Sequence, residues 1–300
     1  HETTESRDLW VATARPMPTR ESIMISSFRQ LMTLTTVAIA MGACSSAAAP
    51  SLPPDEEGAL ARLNSSPRHG EWVTYDAGEG DMVRAWITYP ERSDQAPVVI
   101  VIHEIFGLTD WIRSVADQLA AEGFIAVTPD LLSGAGPNGG GSESMDRQAS
   151  VAAIRTLDPL DVNRRLQAMA VYATALPSAG DQVGAVGYCW GGSTSFLFAV
   201  DYADLDAAVV YYGTSPEEGF EQIQAPVLGL YGGDDDRVNS TISRAEQAMS
   251  SGGQNFKAHI FEGAGHGFLR AQSGQEGANQ RATEQAWPLT VDFFKAQLGS

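Results

Sequence analysis

The fold turns on QVGAVGYCWGG, residues 182–192. Its first half is a run of small and β-branched residues without polar alternation, the composition of a strand buried on both faces. Its second half places Gly187 two residues before Cys189 and Gly191 two residues after it, ahead of a helix-like segment over 193–201. Glycines so placed let a sharp strand-to-helix turn close without Cβ collisions and push the intervening side chain out over the sheet edge, as in a nucleophile elbow. Serine is usual there; here the residue is cysteine. A following helix N-terminus favours the thiolate, the form that attacks. The competing reading is a small buried thiol, which would not need glycine on both sides.

Working outward, the same kind of apolar run recurs as PVVIVIHE (97–104), FIAVTPD (124–130), AAVVYYG (207–213), VLGLYGG (227–233) and FKAHIFEG (256–263). Helix-like segments over 109–121, 161–175, 193–201 and 240–250 lie between most of them, and a last one is predicted over 283–298. Strands and helices alternating in this way predict an α/β fold with a mainly parallel sheet and helices on both faces. Before them, WVTYDAG and MVRAWITYP surround the turn Gly78-Glu79-Gly80-Asp81, predicting an antiparallel hairpin at the domain's entry. The glycine-rich stretch 133–144 follows the second apolar run and is predicted as a loop near the rim of the site. It lacks a Lys-Ser/Thr pair, so it is no phosphate-cradling loop.

A cysteine nucleophile needs a base, and only His259 and His266 follow it. His259 falls inside a strand-like run. His266 stands in Glu262-Gly263-Ala264-Gly265-His266-Gly267-Phe268, a loop free enough to present an imidazole. Asp234, Asp235 and Asp236 follow a strand and supply the orienting acid, and the Gly-x-x-Asp-x-x-Val spacing of Gly232 and Val238 selects Asp235. The order nucleophile, acid, histidine is that of the α/β-hydrolases. His103-Glu104-Ile105-Phe106-Gly107 closes the first apolar run; a zinc helix would need histidine at Gly107, so metal ligation is not expected. That loop instead has the position that supplies one oxyanion-hole N–H in this fold. The backbone donors expected are Ile105 and, after the nucleophile, Trp190.

Together HEIFG, GYCWGG, YYG, GGDDDRV and AGHGF with Arg270 close behind resemble the dienelactone hydrolase family of the α/β-hydrolase superfamily, over about residues 71–298. The resemblance implies hydrolysis of enol-lactones such as carboxymethylenebutenolide, through a triad matching Cys189, Asp235 and His266 and with no cofactor. Glu104 matches a glutamate that holds the resting thiol and moves when substrate arrives; the plainer reading is a rim carboxylate paired with an arginine. Arg270 matches an arginine that holds a substrate carboxylate, with Arg147 the nearest match to a second one upstream. Tyr211 and Tyr212 match pocket tyrosines or belong to the core. Trp190 and Arg237 depart from the family pattern and would reshape the acyl pocket. Alternatives are a general small-ester esterase and a catalytically silent, surface-anchored binding lipoprotein.

The composition, 43% hydrophobic and 19% charged over 300 residues, suits a globular chain with a sizeable core. Thirty-seven acidic against nineteen basic residues give a net charge of −18, which disfavours nucleic acid and anionic membrane surfaces as partners. A small ester or lactone is expected, and an anionic one would have to be held by arginine, since the only lysines are Lys257 and Lys295. No signal for an oligomeric state is present.

Residues 24–44, MISSFRQLMTLTTVAIAMGAC, read as a secretory signal: a basic start at Arg29, an apolar run of about a dozen residues and a small-residue site. The run is shorter than the roughly twenty residues of a membrane span. Met41-Gly42-Ala43-Cys44 resembles the lipobox of bacterial lipoproteins, so Cys44 is the expected lipidation site, with an anchor in the periplasm or outer membrane as the only membrane contact. Residues 1–43 are set apart from the fold as upstream residues and signal peptide. Residues 44–67, rich in Ser, Ala and Pro, are expected to tether a catalytic domain over 68–300. With Cys44 lipidated, Cys189 is the remaining thiol and no internal disulfide forms.

Overall fold

The computed structural model describes residues 51–299. Eight strands form one sheet: β1 (Gly70–Asp76), β2 (Met82–Thr88), β3 (Ala96–Ile102), β4 (Ile125–Pro129), β5 (Ala179–Tyr188), β6 (Ala207–Tyr211), β7 (Val227–Asp234) and β8 (Phe256–Gly265). The helices are α1 (Ala59–Ser65), α2 (Asp110–Ala121), α3 (Arg147–Ile154), α4 (Pro159–Thr174), α5 (Trp190–Asp201), α6 (Asp236–Asn239), α7 (Ile242–Gly252) and α8 (Ala278–Leu298). The strand order is β1-β2-β4-β3-β5-β6-β7-β8. β1 and β2 pair antiparallel, as the hairpin predicts, and β2 joins β4 antiparallel; every other pairing is parallel.

Because the parallel strands are covered on both sides, their residues need no alternation, and all seven of β3 are buried. One face packs under α4, α5 and α7 through Leu166, Met169, Phe196, Phe198 and Met249. The other lies beneath α2 and α8 through Trp111, Leu119, Trp287 and Phe294. Arg165 of α4 reaches Asp81 in the hairpin turn with Nε at 2.8 Å and caps the Leu131 carbonyl at 2.9 Å, fixing the hairpin to the main body.

The tether expected up to residue 67 is packed from Ser51 onward. Its backbone carbonyls are captured by buried donors: Trp111 Nε1 binds Pro54 O at 3.1 Å and Gln272 Nε2 binds Pro53 O at 3.0 Å. Arg62 and Arg68 both pair with the buried Asp117 of α2. A segment poor in large apolar residues is thus held by hydrogen bonds together with the small apolar contacts of Leu52 and Ala59. The signal-like run and Cys44 lie outside the described residues.

Candidate active site

The strand order reverses around β3, with β4 on one side and β5 on the other, so the carboxyl ends of β3 and β5 open a crevice. His103-Glu104-Ile105 comes directly off β3 and Cys189 directly off β5; Asp235 follows β7 and His266 follows β8. Four separate segments therefore converge at one end of the sheet, around a cleft of about 490 Å³.

Cys189 has φ 57° and ψ −115°, a conformation that a side-chain-bearing residue keeps only when its surroundings impose it. The surroundings here are two close backbone approaches. A Cβ on Gly187 would lie 1.8 Å from the Gly191 carbonyl oxygen, and one on Gly191 would lie 2.3 Å from that of Ile102. The backbone N–H groups of Trp190 and Ile105, the two donors expected from the fold, pull the thiol's pKa down. The thiol's pKa is pushed up to about 11, by burial first and the Glu104 charge second, against the smaller opposite pull of those N–H groups and of Arg237. The helix N-terminus does not prevail over burial, so the pKa rises where the helix alone would lower it, in line with the resting thiol that the family resemblance implies.

His103 is fully buried, and burial holds its pKa below the ordinary histidine range. Its Nδ1–H donates to the Glu104 carbonyl at 2.8 Å, while Nε2 accepts from Leu131 N at 3.2 Å. Both nitrogens are used, which leaves no lone pair for a metal. The Glu104 C=O and the Ile105 N–H belong to one peptide plane, so this histidine fixes the donor that faces the sulfur. His266 Nδ1 lies 2.5 Å from Asp235 Oδ2, with Asp235 buried and His266 a third exposed to the cleft. Asn279, in the first turn of α8, accepts from Gly265 N at 2.9 Å and donates to Ala271 O at 2.7 Å, clamping the loop that carries His266. Asp234 and Asp236 are exposed neighbours, so the spacing argument selected the acid that reaches the ring.

Glu104 is buried, with Oε2 in an ion pair 2.7 Å from Arg270 Nε. Burial outweighs that contact and, with the nearby Glu56 charge, pushes the carboxyl pKa up to about 7. A carboxyl whose folded pKa exceeds its unfolded value binds its proton more tightly when folded, so its stabilising contribution is full below about pH 4.5 and is lost as the pH rises through about 7. The stability difference between wild type and Glu104→Gln should accordingly shrink by on the order of 3 kcal/mol between pH 4.5 and 7.5. Denaturant unfolding at a series of pH values measures it; a difference constant with pH would contradict the burial argument.

A model of the dienelactone hydrolase family matches residues 83–298. The chain belongs to the dienelactone hydrolase family. A carboxymethylenebutenolidase of Pseudomonas putida is 31% identical over 68% of this chain and 87% of its own. The fold is shared with a dienelactone hydrolase-like promiscuous phosphotriesterase from metagenomic libraries, at a TM-score of 0.64 and 24% identity over 77% of this chain and 98% of that one. It is shared also with the dienelactone hydrolase of Anabaena variabilis, at a TM-score of 0.56 and 19% identity over 77% and 98%. Membership of the family makes this chain a hydrolase of the ester and lactone class.

Of the residues expected at the site, Glu104, Ile105, Cys189, Trp190, His266 and Arg270 all line the cleft, and Asp235 backs His266. Tyr211 and Tyr212 do not line it. Both are fully buried: Tyr211 bonds Thr290 Oγ1 at 2.7 Å, and Tyr212 packs edge-on behind His266 at 5.2 Å, so they serve the core and the ring's seating. Arg147 stands at the rim over the Phe106 ring rather than in the cleft. Three cleft residues escaped the sequence reading: Phe106, Ser193 and Thr214, the last two joined at 2.9 Å. Phe106 lay inside HEIFG, yet nothing in that motif says which side chain turns inward.

Proposed function

We propose that the chain hydrolyses a carboxylic ester or enol-lactone through a Cys189-His266-Asp235 triad and a thioester acyl-enzyme. One observation carries the reading: the elbow Cys189 lines the same cleft as Ile105, Trp190 and the Asp235-bound imidazole of His266. Glu104 keeps the resting thiol protonated, and its displacement by substrate lets the thiol proton pass to His266 Nε2. The sulfur then attacks the carbonyl carbon, and the Ile105 and Trp190 N–H groups hold the oxygen that becomes negative. Collapse breaks the bond to the ester oxygen, which takes the proton from His266 and leaves, or stays tethered if the substrate is a lactone. His266 next removes a proton from water, whose oxygen attacks the thioester; the carboxylic acid departs and the thiol is restored. Each step uses groups already in the cleft, and no cofactor takes part.

The test is turnover of an uncharged enol-lactone and of a simple aryl acetate by the protein from Ser45 onward. Lactone turnover is the expected result. Cleavage of the aryl ester alone would make the chain a general esterase, the reading that Trp190 and Arg237 favour by narrowing and charging the acyl pocket. Cleavage of neither would remove the reading.

The site of action is proposed as outside the cytoplasm, with the protein tethered by lipid on Cys44. Incorporation of labelled fatty acid into the full chain, lost in Cys44→Ala, is expected. Equal labelling of both would contradict the anchor.

A further inference from the structure

Arg147 and Arg270 meet at the rim of the cleft, both over the face of Phe106, with guanidinium carbons 3.4 Å and 5.2 Å from the ring centre. Phe106 and Arg270 are cleft residues. A carboxylate bridges the pair, with one oxygen 2.7 Å from Arg147 and the other 2.6 Å from Arg270. It is the side chain of Glu56, from the packed segment ahead of α1. Two guanidiniums sharing one carboxylate, an oxygen each, form the arrangement by which a carboxylate on a substrate would be recognised at this rim. In this chain the place is taken.

Glu56 is no loose latch. Its own N–H donates to the Arg270 carbonyl at 3.0 Å. The preceding Pro53 and Pro54 carbonyls are held by Gln272 and Trp111, and Asp55 caps Gly58 N at 2.9 Å. The carboxylate is thereby presented to the arginines by a backbone that four contacts fix independently of its charge, and an incoming anion competes with an occupant already in place. The two arginines hold the Glu56 carboxyl below the ordinary glutamate range, so it remains an anion at neutral pH. Glu104 meets Arg270 from the inner side, so the rim pair faces two carboxyl groups before any substrate arrives.

We propose that Glu56 is a specificity-determining residue: by filling the Arg147–Arg270 carboxylate site it turns the cleft toward uncharged esters and lactones and against substrates that carry a carboxylate. The inference rests on the hydrolase reading of the cleft and reverses the expectation of an anionic substrate. Arg237 is the other guanidinium at the cleft, exposed and without an ion-pair partner among the described residues. It is common to wild type and variants, so a comparison between them isolates Glu56.

The experiment compares an aryl acetate with the mono-aryl succinate of the same leaving group, for wild type, Glu56→Ala and Glu56→Gln. The ratio of kcat/KM for succinate over acetate should rise at least about tenfold in Glu56→Ala, mostly through KM. A smaller rise is expected in Glu56→Gln, which keeps the side chain's shape without its charge. If Glu56 were only a strut for the segment, both substrates would change together and the ratio would stay fixed; that result overturns the proposal. Should no variant cleave either ester, the hydrolase reading fails on its own account, and the carboxylate site is then read by calorimetric binding of the mono-aryl succinate. Tighter binding to Glu56→Ala than to wild type supports the proposal, and equal binding overturns it.

Discussion

Cys189→Ala should lower kcat/KM at least about a thousandfold for any ester or lactone that the protein cleaves, while leaving its thermal unfolding almost unmoved. The sulfur is half-buried at the sheet edge, so its loss creates little cavity. What is lost instead is the atom proposed to carry the acyl group. The rate that survives comes from the Ile105 and Trp190 donors and from substrate positioning, which act on attack by water as they act on attack by sulfur. A buried thiol serving only as packing predicts the reverse: a loss of stability with turnover preserved.

Asp235→Asn is expected to cost about a hundredfold to a thousandfold in kcat, with KM little changed. The Asp235 carboxylate accepts from His266 Nδ1 at 2.5 Å, so the ring's unprotonated nitrogen is the one facing the cleft. An amide in the same place can donate to Nδ1 instead, which stabilises the other tautomer, and Nε2 then carries a hydrogen and cannot take the thiol's proton. The neighbouring carboxylates provide the control. Asp234→Asn and Asp236→Asn alter exposed groups at nearly the same place in the chain and should leave steady-state rates within about twofold. Equal losses at all three positions would show that charge near α6, rather than the ring's tautomer, matters.

The sheet was legible because its central strands β3, β4 and β6 are buried along their whole length and are joined by regular helices. The run 97–102 reads as strand and lies within β3, and the helix expected over 109–121 is observed as α2, Asp110–Ala121. The last helix begins at Ala278 rather than at 283, since its first turn is recruited by Asn279 to clamp the histidine loop, a tertiary use that local pattern does not encode. The elbow, the acid and the histidine were legible for a different reason. Each depends on glycine spacing that the backbone requires locally: the Gly187 and Gly191 contacts show how little room the turn leaves.

Three features were not legible, and each involves partners distant in sequence. The segment 51–66 has a linker's composition, and its packing depends on donors contributed by Trp111, Gln118 and Gln272. Tyr211 ends β6 in a register that buries it, and Tyr212, with φ 40°, follows it and packs against His266. The state of the thiol depends on how burial and Glu104 weigh against a helix end, which is settled by three-dimensional proximity alone. Glu56 is a further case of distant partners. It belongs to the linker-like segment, contacts arginines 91 and 214 residues away, and alters the charge of a site that the motifs describe without it.

The most direct measurement is intact-mass analysis of the wild-type protein quenched in acid during turnover of an aryl acetate, followed by peptide mapping. The account predicts an acetyl group attached to Cys189 and absent in Cys189→Ala. An acyl group on any other residue, or wild-type turnover with no acyl group ever detected on Cys189, would contradict it.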